Sequence, residues 1–174
     1  MTRRSLVVSL AAAVLLRPTL ALAQPPVGAP AVAAPTALAV AGAVTTPLTL
    51  SAADLKAMPR TKIEAQDDNR TVTYEGVLVG EILKRAGATV GEALRGDAIA
   101  SYVVAHAADG YRAVYALAEL DNAFAASDVI VADTIDGKPL FAYQGPWRLV
   151  APKDLRGARS VRWLDRLEVV RLPR

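Results

Sequence analysis

Basic side chains are concentrated at the C-terminal end of the sequence, in a pattern that favours the binding of an anion. Between residues 148 and 174 there are eight lysines and arginines but only three acidic residues. A guanidinium group binds phosphate and other oxyanions through parallel hydrogen bonds. The segment therefore predicts a basic pocket for an anionic small molecule, with a solvated basic face that pairs with the acidic remainder of the chain as the alternative. The basic residues are Arg148, Lys153, Arg156, Arg159, Arg162, Arg166, Arg171 and Arg174.

Other residue types that carry catalysis or bind metals are scarce. The chain has no cysteine, which excludes a thiolate metal site, a cysteine nucleophile and a disulfide scaffold. It contains neither a Gly-x-Ser-x-Gly nucleophile motif nor a Gly-x-Gly-x-x-Gly dinucleotide motif. Gly91 and Gly96 have the spacing of a phosphate loop, but Asp97 stands where that loop requires lysine. We therefore predict no catalytic residue and no metal ligand.

A predicted turn at Asp109-Gly110 carries three further candidates. His106, the single histidine, precedes the turn, and Tyr111 follows it. Two strands that flank such a turn form a hairpin, which places side chains on both sides of the turn near one another. His106, Asp109 and Tyr111 are therefore candidate binding residues, with hydrogen-bonded or exposed strand and turn positions as the alternative.

The first 23 residues have the pattern of a bacterial signal peptide. Arg3 and Arg4 precede an apolar run over residues 5–16, and Ala21-Leu22-Ala23 matches a signal-peptidase site. The run is too short to cross about 30 Å of hydrocarbon, so no stable membrane anchor is expected after cleavage. The paired arginines suit either the twin-arginine or the general secretory route. We predict a periplasmic protein.

Export also changes the charge of the chain. The formal net charge is +3, but three of the 20 basic residues, Arg3, Arg4 and Arg17, lie in or beside the signal segment. The remainder holds as many basic as acidic residues, 17 of each. A neutral chain lacks the electrostatic attraction to phosphate backbones on which nucleic-acid binding depends. No nucleic-acid partner is expected.

Strand-like patterns dominate the rest of the chain. Residues 24–47 carry no charge and are rich in alanine and proline, which predicts a linker with a first strand at 38–41. Residues 48–174 show no regular strand–helix alternation, which predicts an α+β domain with a mixed, mainly antiparallel sheet and a few short helices. Asp67 and Asp68 fall in a predicted hairpin turn, where solvated side chains are expected. Further strands are predicted at 61–65, 71–74, 99–105, 111–115, 129–131, 147–150 and 167–171, and helices at 52–58 and 77–86.

Five segments, in order along residues 48–172, resemble the molybdopterin-binding domain of the sulfite oxidase family. They are Tyr74-Glu75-Gly76-Val77-Leu78 with the helix after it, Asp109-Gly110-Tyr111, Val131-Ala132-Asp133 with Asp136-Gly137-Lys138-Pro139-Leu140, Gly145-Pro146-Trp147-Arg148, and Ser160-Val161-Arg162-Trp163-Leu164. The resemblance implies the sulfite-oxidase type of fold and a molybdopterin cofactor.

The same resemblance assigns residues to the pocket. It implies that Arg148 and Arg162 hold the phosphate or ring of the pterin, and that Gly145, Lys153, Ser160 and Trp163 lie beside them. On this interpretation Arg148→Ala abolishes binding and leaves the fold intact. The family binds molybdenum through a cysteine thiolate, for which the corresponding stretch here, residues 63–66, offers Ile-Glu-Ala-Gln.

Three functions are compatible with these patterns. The first, which we favour, is a periplasmic protein that binds an anionic small molecule or a partner protein without redox chemistry. The second is a molybdenum-dependent oxidoreductase with a metal ligand other than cysteine. The third is a structural or interaction module, in which Arg148 and Arg162 would pair with carboxylates instead of lining a pocket.

Overall fold

The structure is a computed structural model that describes residues 32–173. Within this range the chain forms ten strands, two α-helices and several single turns of 3-10 helix. The strands are β1 (Leu38–Gly42), β2 (Leu48–Leu50), β3 (Thr61–Asp67), β4 (Arg70–Leu78), β5 (Ser101–Ala107), β6 (Arg112–Ala116), β7 (Ile130–Ile135), β8 (Lys138–Pro139), β9 (Arg148–Val150) and β10 (Leu164–Arg171). The helices are α1 (Ala52–Lys56) and α2 (Val79–Arg85).

One five-stranded sheet joins the two ends of the described chain. Its strand order is β2-β1-β10-β5-β6. β1 and β10 run parallel, and the other neighbouring pairs are antiparallel. The hairpin of β5 and β6 at one edge ends in the turn at Asp109 and Gly110, which the sequence predicts. This hairpin forms one wall of the candidate site.

The other five strands form an antiparallel sheet. Its order is β3-β4-β7-β8, and β9 pairs with β7 beside β8. β3 and β4 are joined by Asp68 and Asn69, whose φ angles of +47° and +64° close a two-residue hairpin. This tight turn fixes the position of Asp67 at the end of β3.

The buried apolar side chains form two separate cores. The larger core takes alternate residues of β1, β5 and β10 together with Ile82 and Leu83 of α2. The smaller core lies within the second sheet and includes Val72, Tyr74 and Ile130. Alternation of buried and exposed positions, for example over Ser101–Ala107, is the pattern expected of a sheet with one covered face.

The predicted fold class is confirmed: the protein is α+β, with mostly antiparallel sheets and few helices. The predicted first strand is present as β1, and α1 begins at the predicted residue with a capping box of Ser51 and Asp54. The prediction of a helix from residue 77 is wrong. Val77 and Leu78 still pair with β7, so α2 begins at Val79.

The predicted signal segment and residues 24–31 of the predicted linker lie outside the described residues. None of the helices in residues 32–173 has the length and apolar character needed to span a membrane.

Candidate functional site

Four of the nine predicted binding residues line one open cleft. Asp109 and Tyr111 come from the turn between β5 and β6, and Ser160 and Arg162 come from the segment that leads from β9 to β10. The cleft has a volume of about 210 Å³. The 3-10 turn Gly157–Arg159 forms its remaining wall. The structure thus brings together residues that are about 50 positions apart in the sequence.

Hydrogen bonds hold the two walls of this cleft in place. The hydroxyl of Tyr111 donates to the carbonyl of Ala158 at 2.5 Å, and the hydroxyl of Tyr115 donates to the carbonyl of Arg159. Asp109 Oδ1 accepts from the backbone N–H of Tyr111 at 2.9 Å, which tightens the turn. The walls of the cleft are therefore held together by the protein's own hydrogen bonds.

Arg162 supplies the positive charge of the cleft. Its guanidinium carbon lies 5.1 Å from the centre of the Tyr143 ring. That ring stacks on Phe141, with centroids 5.7 Å apart and an interplanar angle of 9°. Within the described part of the chain no carboxylate forms a salt bridge with Arg162. An exposed guanidinium that rests on an aromatic ring keeps its hydrogen-bond donors free for an anion.

Gly145 and Trp163 lie against each other, and Gly145 does not line the cleft of Arg162. Gly145 has φ +91°, and a Cβ at this position would meet Trp163 Cδ1 at 2.5 Å. Trp163 itself has φ +50°, and its Nε1 donates to the carbonyl of Ala142 at 3.0 Å. The missing side chain of Gly145 thus makes room for the indole ring. Gly145 borders a different cavity, of about 300 Å³, next to Trp147.

Arg148 is buried and already paired. Its Nη1 donates to Asp67 Oδ1 at 3.0 Å and to the Tyr74 hydroxyl at 2.5 Å. The side chains of Arg148 and Asp67 are 7% and 8% exposed. Gln144 donates from Nε2 to Asp67 Oδ2 at 3.0 Å, which completes the cluster. The structure therefore separates Arg148 from Arg162, and the expectation that Asp67 is a solvated turn residue is wrong.

Burial and charge oppose each other at this cluster. Burial raises the pKa of Asp67, but the hydrogen bond and positive charge of Arg148, with hydrogen bonds from Tyr74 and Gln144, hold that pKa below its usual range. Burial raises the pKa of Tyr74 to about 12, so its phenol remains protonated in the physiological range. The cluster thus contains a carboxylate and a guanidinium, both charged at neutral pH.

A depressed carboxylate pKa links stability to pH in a defined direction. Because the pKa of Asp67 is lower in the folded than in the unfolded chain, its contribution to stability is present above the unfolded value of about 3.9 and is lost as the pH falls through the folded value. We expect Asp67→Asn to be less stable than wild type at pH 7 and to have a flatter acid limb below about pH 4. Urea denaturation from pH 7 to pH 2 measures this. Parallel acid limbs in the two proteins would contradict it.

Lys153 belongs to a third region. Its Nζ lies 2.8 Å from Asp128 Oδ2 and donates to the carbonyl of Ala126 at 2.5 Å. Together with Ser127 it borders a cavity of about 170 Å³. Arg159, on the rim of the same cavity, pairs with Asp154 and with a second carboxylate.

His106 lies on β5, between β10 and β6, and its side chain contacts residues of β10. Its Nε2 lies 2.9 Å from Glu168 Oε2, and Arg166 Nη2 lies 3.3 Å from its Nδ1. His106 does not border the cleft of Arg162. The basic C-terminal segment therefore forms no single pocket, since Arg148, Lys153, Arg159 and Arg166 each have a carboxylate partner.

Sequence reasoning missed two aromatic residues and one acid at the site. Arg162 lies over Tyr143, which stacks on Phe141. Two aromatic residues two positions apart, just before Gly145, are the signal from which this pair could have been found. Asp67 had no comparable signal, because its burial depends on Gln144 and Arg148 far along the chain.

Comparison with known proteins identifies the family of this chain. The sequence matches the family described as oxidoreductase molybdopterin binding domain over residues 65–174, well over half of the chain. The chain belongs to this family. No curated protein matches it in sequence.

The molybdopterin-binding-domain fold also occurs among solved structures. The sulfane dehydrogenase SoxCD from Paracoccus pantotrophus is similar, with a TM-score of 0.60 and 23% sequence identity. The similarity covers 76% of this chain but 37% of the SoxCD chain, so this protein spans little more than a third of that chain. At this identity the likeness concerns the fold alone.

The resemblance to the sulfite oxidase family implies that a cysteine thiolate holds molybdenum, and this chain lacks that thiolate. The whole sequence has no cysteine, and among residues 32–173 no three His, Asp or Glu side chains are placed to share a metal ion. In the stretch 63–66 of β3, Ala65 is buried in the smaller core and Gln66 donates to Thr71 Oγ1 at 2.8 Å. The residues present therefore do not fit the metal.

Proposed function

We propose that this molybdopterin-binding-domain protein is an exported protein that binds an anionic small molecule without redox chemistry, in the cleft around Arg162. The observation that carries the proposal is the state of this arginine. It is exposed, rests on Tyr143 and has no carboxylate partner in the described chain, whereas Arg148, Lys153 and Arg159 all have one. An arginine positioned in this way supplies charge and two-point geometry to a ligand.

The cleft offers a defined set of contacts to such a ligand. Arg162 provides the donors for an anionic group, and the Ser160 hydroxyl accepts from the backbone N–H of Ala151 at 3.2 Å, which leaves its proton for a ligand. The carboxylate of Asp109 lines the same cleft and would accept from a ligand N–H or O–H. With a volume of about 210 Å³, the cleft suits a small molecule or the anionic end of a larger one.

The absence of cysteine supports the non-redox part of the proposal. A thiolate both holds molybdenum and tunes its reduction potential, so a chain without one has lost the group that links the metal to the protein. The sequence of residues 1–23 supports export to the periplasm.

The proposal predicts that binding depends on Arg162. Because the family is described as molybdopterin binding, 6-carboxypterin is a suitable anionic probe, and its intrinsic fluorescence reports binding. We expect Arg162→Gln to raise its dissociation constant about tenfold to a hundredfold, the equivalent of a charged hydrogen bond of about 1.5–3 kcal/mol. Inorganic phosphate should compete for the site in the wild type.

The matched control is Arg156→Gln, which removes the same charge from an exposed arginine six positions away. We expect it to bind 6-carboxypterin as the wild type does. Equal losses in the two variants, or an unchanged affinity in Arg162→Gln, would contradict the cleft. The non-redox part has a separate test: about one molybdenum per chain in protein purified from its own host would favour the oxidoreductase alternative.

A further inference from the structure

The buried pair of Arg148 and Asp67 has the composition of an occupied anion site. Both side chains are more than nine-tenths buried, and the carboxylate lies directly on the guanidinium, with 3.0 Å between Asp67 Oδ1 and Arg148 Nη1. The Tyr74 ring lies beneath the guanidinium, with 5.3 Å between its centre and the guanidinium carbon. An arginine stacked on an aromatic ring and facing an oxyanion is an arrangement that proteins use to bind carboxylates and phosphates.

Asp67 satisfies this site incompletely. Arg148 donates to Asp67 through Nη1, and Arg148 Nε is buried without a partner. The Oε1 atom of Gln144, whose Nε2 donates to Asp67, is likewise buried and unpaired. A buried donor left without an acceptor costs about 1–3 kcal/mol, so evolved cores seldom retain one. The unpaired Nε marks a second contact that the side chain of Asp67 does not reach.

Asp67 is brought to this position by the backbone. It is the last residue of β3, and Asp68 and Asn69, both with positive φ, turn the chain directly into β4. The backbone of Asp67 is paired with Arg70 across the hairpin. A carboxylate fixed in this way by a tight turn has a high effective concentration at the guanidinium. An anion from solution would need a comparable concentration to displace it.

We infer that Arg148 is a closed oxyanion site, in which the carboxylate of Asp67 takes the place of an external carboxylate or phosphate. Asp67 thereby determines specificity, because it excludes ligand anions from Arg148. The inference does not depend on the function proposed for the Arg162 cleft, because it concerns a separate group of side chains.

Removing the internal carboxylate should make the site bind an external one. We expect Asp67→Ala to have a lower melting temperature than the wild type in sodium chloride. Sodium formate at the same ionic strength should raise that temperature saturably, and formate at ten times its dissociation constant shifts the folding equilibrium about tenfold. The wild type should show no formate-specific rise. Asp67→Ser, which leaves a hydroxyl for Gln144, should behave in the same way if the alanine variant does not fold.

Two controls separate a specific site from a general effect of formate. The double variant Asp67→Ala with Arg148→Met should show no formate-specific rise, because the guanidinium is gone. Asp133→Ala removes a carboxylate from the more exposed pair with Arg60 and should gain little from formate. Equal rescue with and without Arg148 would overturn the inference. So would the absence of rescue in folded Asp67→Ala, or failure of both single variants to fold in formate. Binding of 6-carboxypterin by Arg162 is measured separately, so either result stands alone.

Discussion

Replacing Arg148 by methionine is expected to destabilise the fold by about 3–5 kcal/mol, the cost of leaving one partner of a buried ion pair alone. The Asp67 carboxylate, 8% exposed, would lose the guanidinium on which its charge depends. Tyr74 would lose the cation beside its hydroxyl. Urea denaturation at pH 7, with the midpoint and slope compared with the wild type, measures the loss. The resemblance alone predicted an intact fold for a substitution at this position, and the burial of the pair leads to the opposite expectation.

A matched control separates this effect from the loss of any arginine. Arg166→Met removes an arginine from β10 that is 45% exposed and lies 3.7 Å from its carboxylate partner, Glu168. Exposed pairs of this kind contribute about 1 kcal/mol or less, so the variant should stay close to the wild type. If Arg148→Met were as stable as the wild type and failed to bind 6-carboxypterin, Arg148 would belong to the ligand site after all.

The sequence predicted local structure well where short patterns decide it. The strand predicted at 99–105 and the turn at Asp109 led to the hairpin that the structure has as β5 and β6, although β5 begins two residues later, at Ser101. The pattern at Ser51 predicted the start of α1. The predicted boundary between β4 and α2 was wrong because it depends on the pairing of β4 with β7, about 50 residues further along the chain. Val77 and Leu78 fit the apolar face of the predicted helix, but pairing with β7 keeps them in the sheet.

The candidate site shows the same division. Asp109, Tyr111, Ser160 and Arg162 were each identified from local motifs, and their meeting depends on contacts such as that of Tyr111 with Ala158. The count of basic residues predicted one pocket, but charge along the sequence does not reveal which carboxylates lie nearby in space. Four of the eight bases pair with carboxylates in the described part of the chain, and for three of them, Arg148, Lys153 and Arg159, a partner acid comes from another part of the fold. A single sequence carries no signal for such pairing.

The second large effect is expected at Gly76, a glycine of the motif that links β4 to the family. A Cβ at this position would lie 2.1 Å from the carbonyl oxygen of Val131 and 2.6 Å from the Cα of Ala132. Both are backbone atoms of β7, so no flexible side chain could move aside to make room for the Cβ. The register between β4 and β7 also shifts at this point. We expect Gly76→Ala to cost about 3 kcal/mol or more, at or above the upper end for overpacked sites. Urea denaturation and the yield of soluble protein measure this.

Gly157→Ala provides the matched control, because a Cβ there meets no atom within 4 Å and the residue has no positive φ. It should lie within about 0.5 kcal/mol of the wild type, as surface substitutions do. Near-wild-type stability of Gly76→Ala would show that β4 and β7 can separate without cost. The expected difference between the two glycines assigns the motif residue Gly76 to the close approach of two strands. Its occurrence in the family pattern then reflects packing of the fold, and it has no part in the ligand binding proposed for the cleft around Arg162.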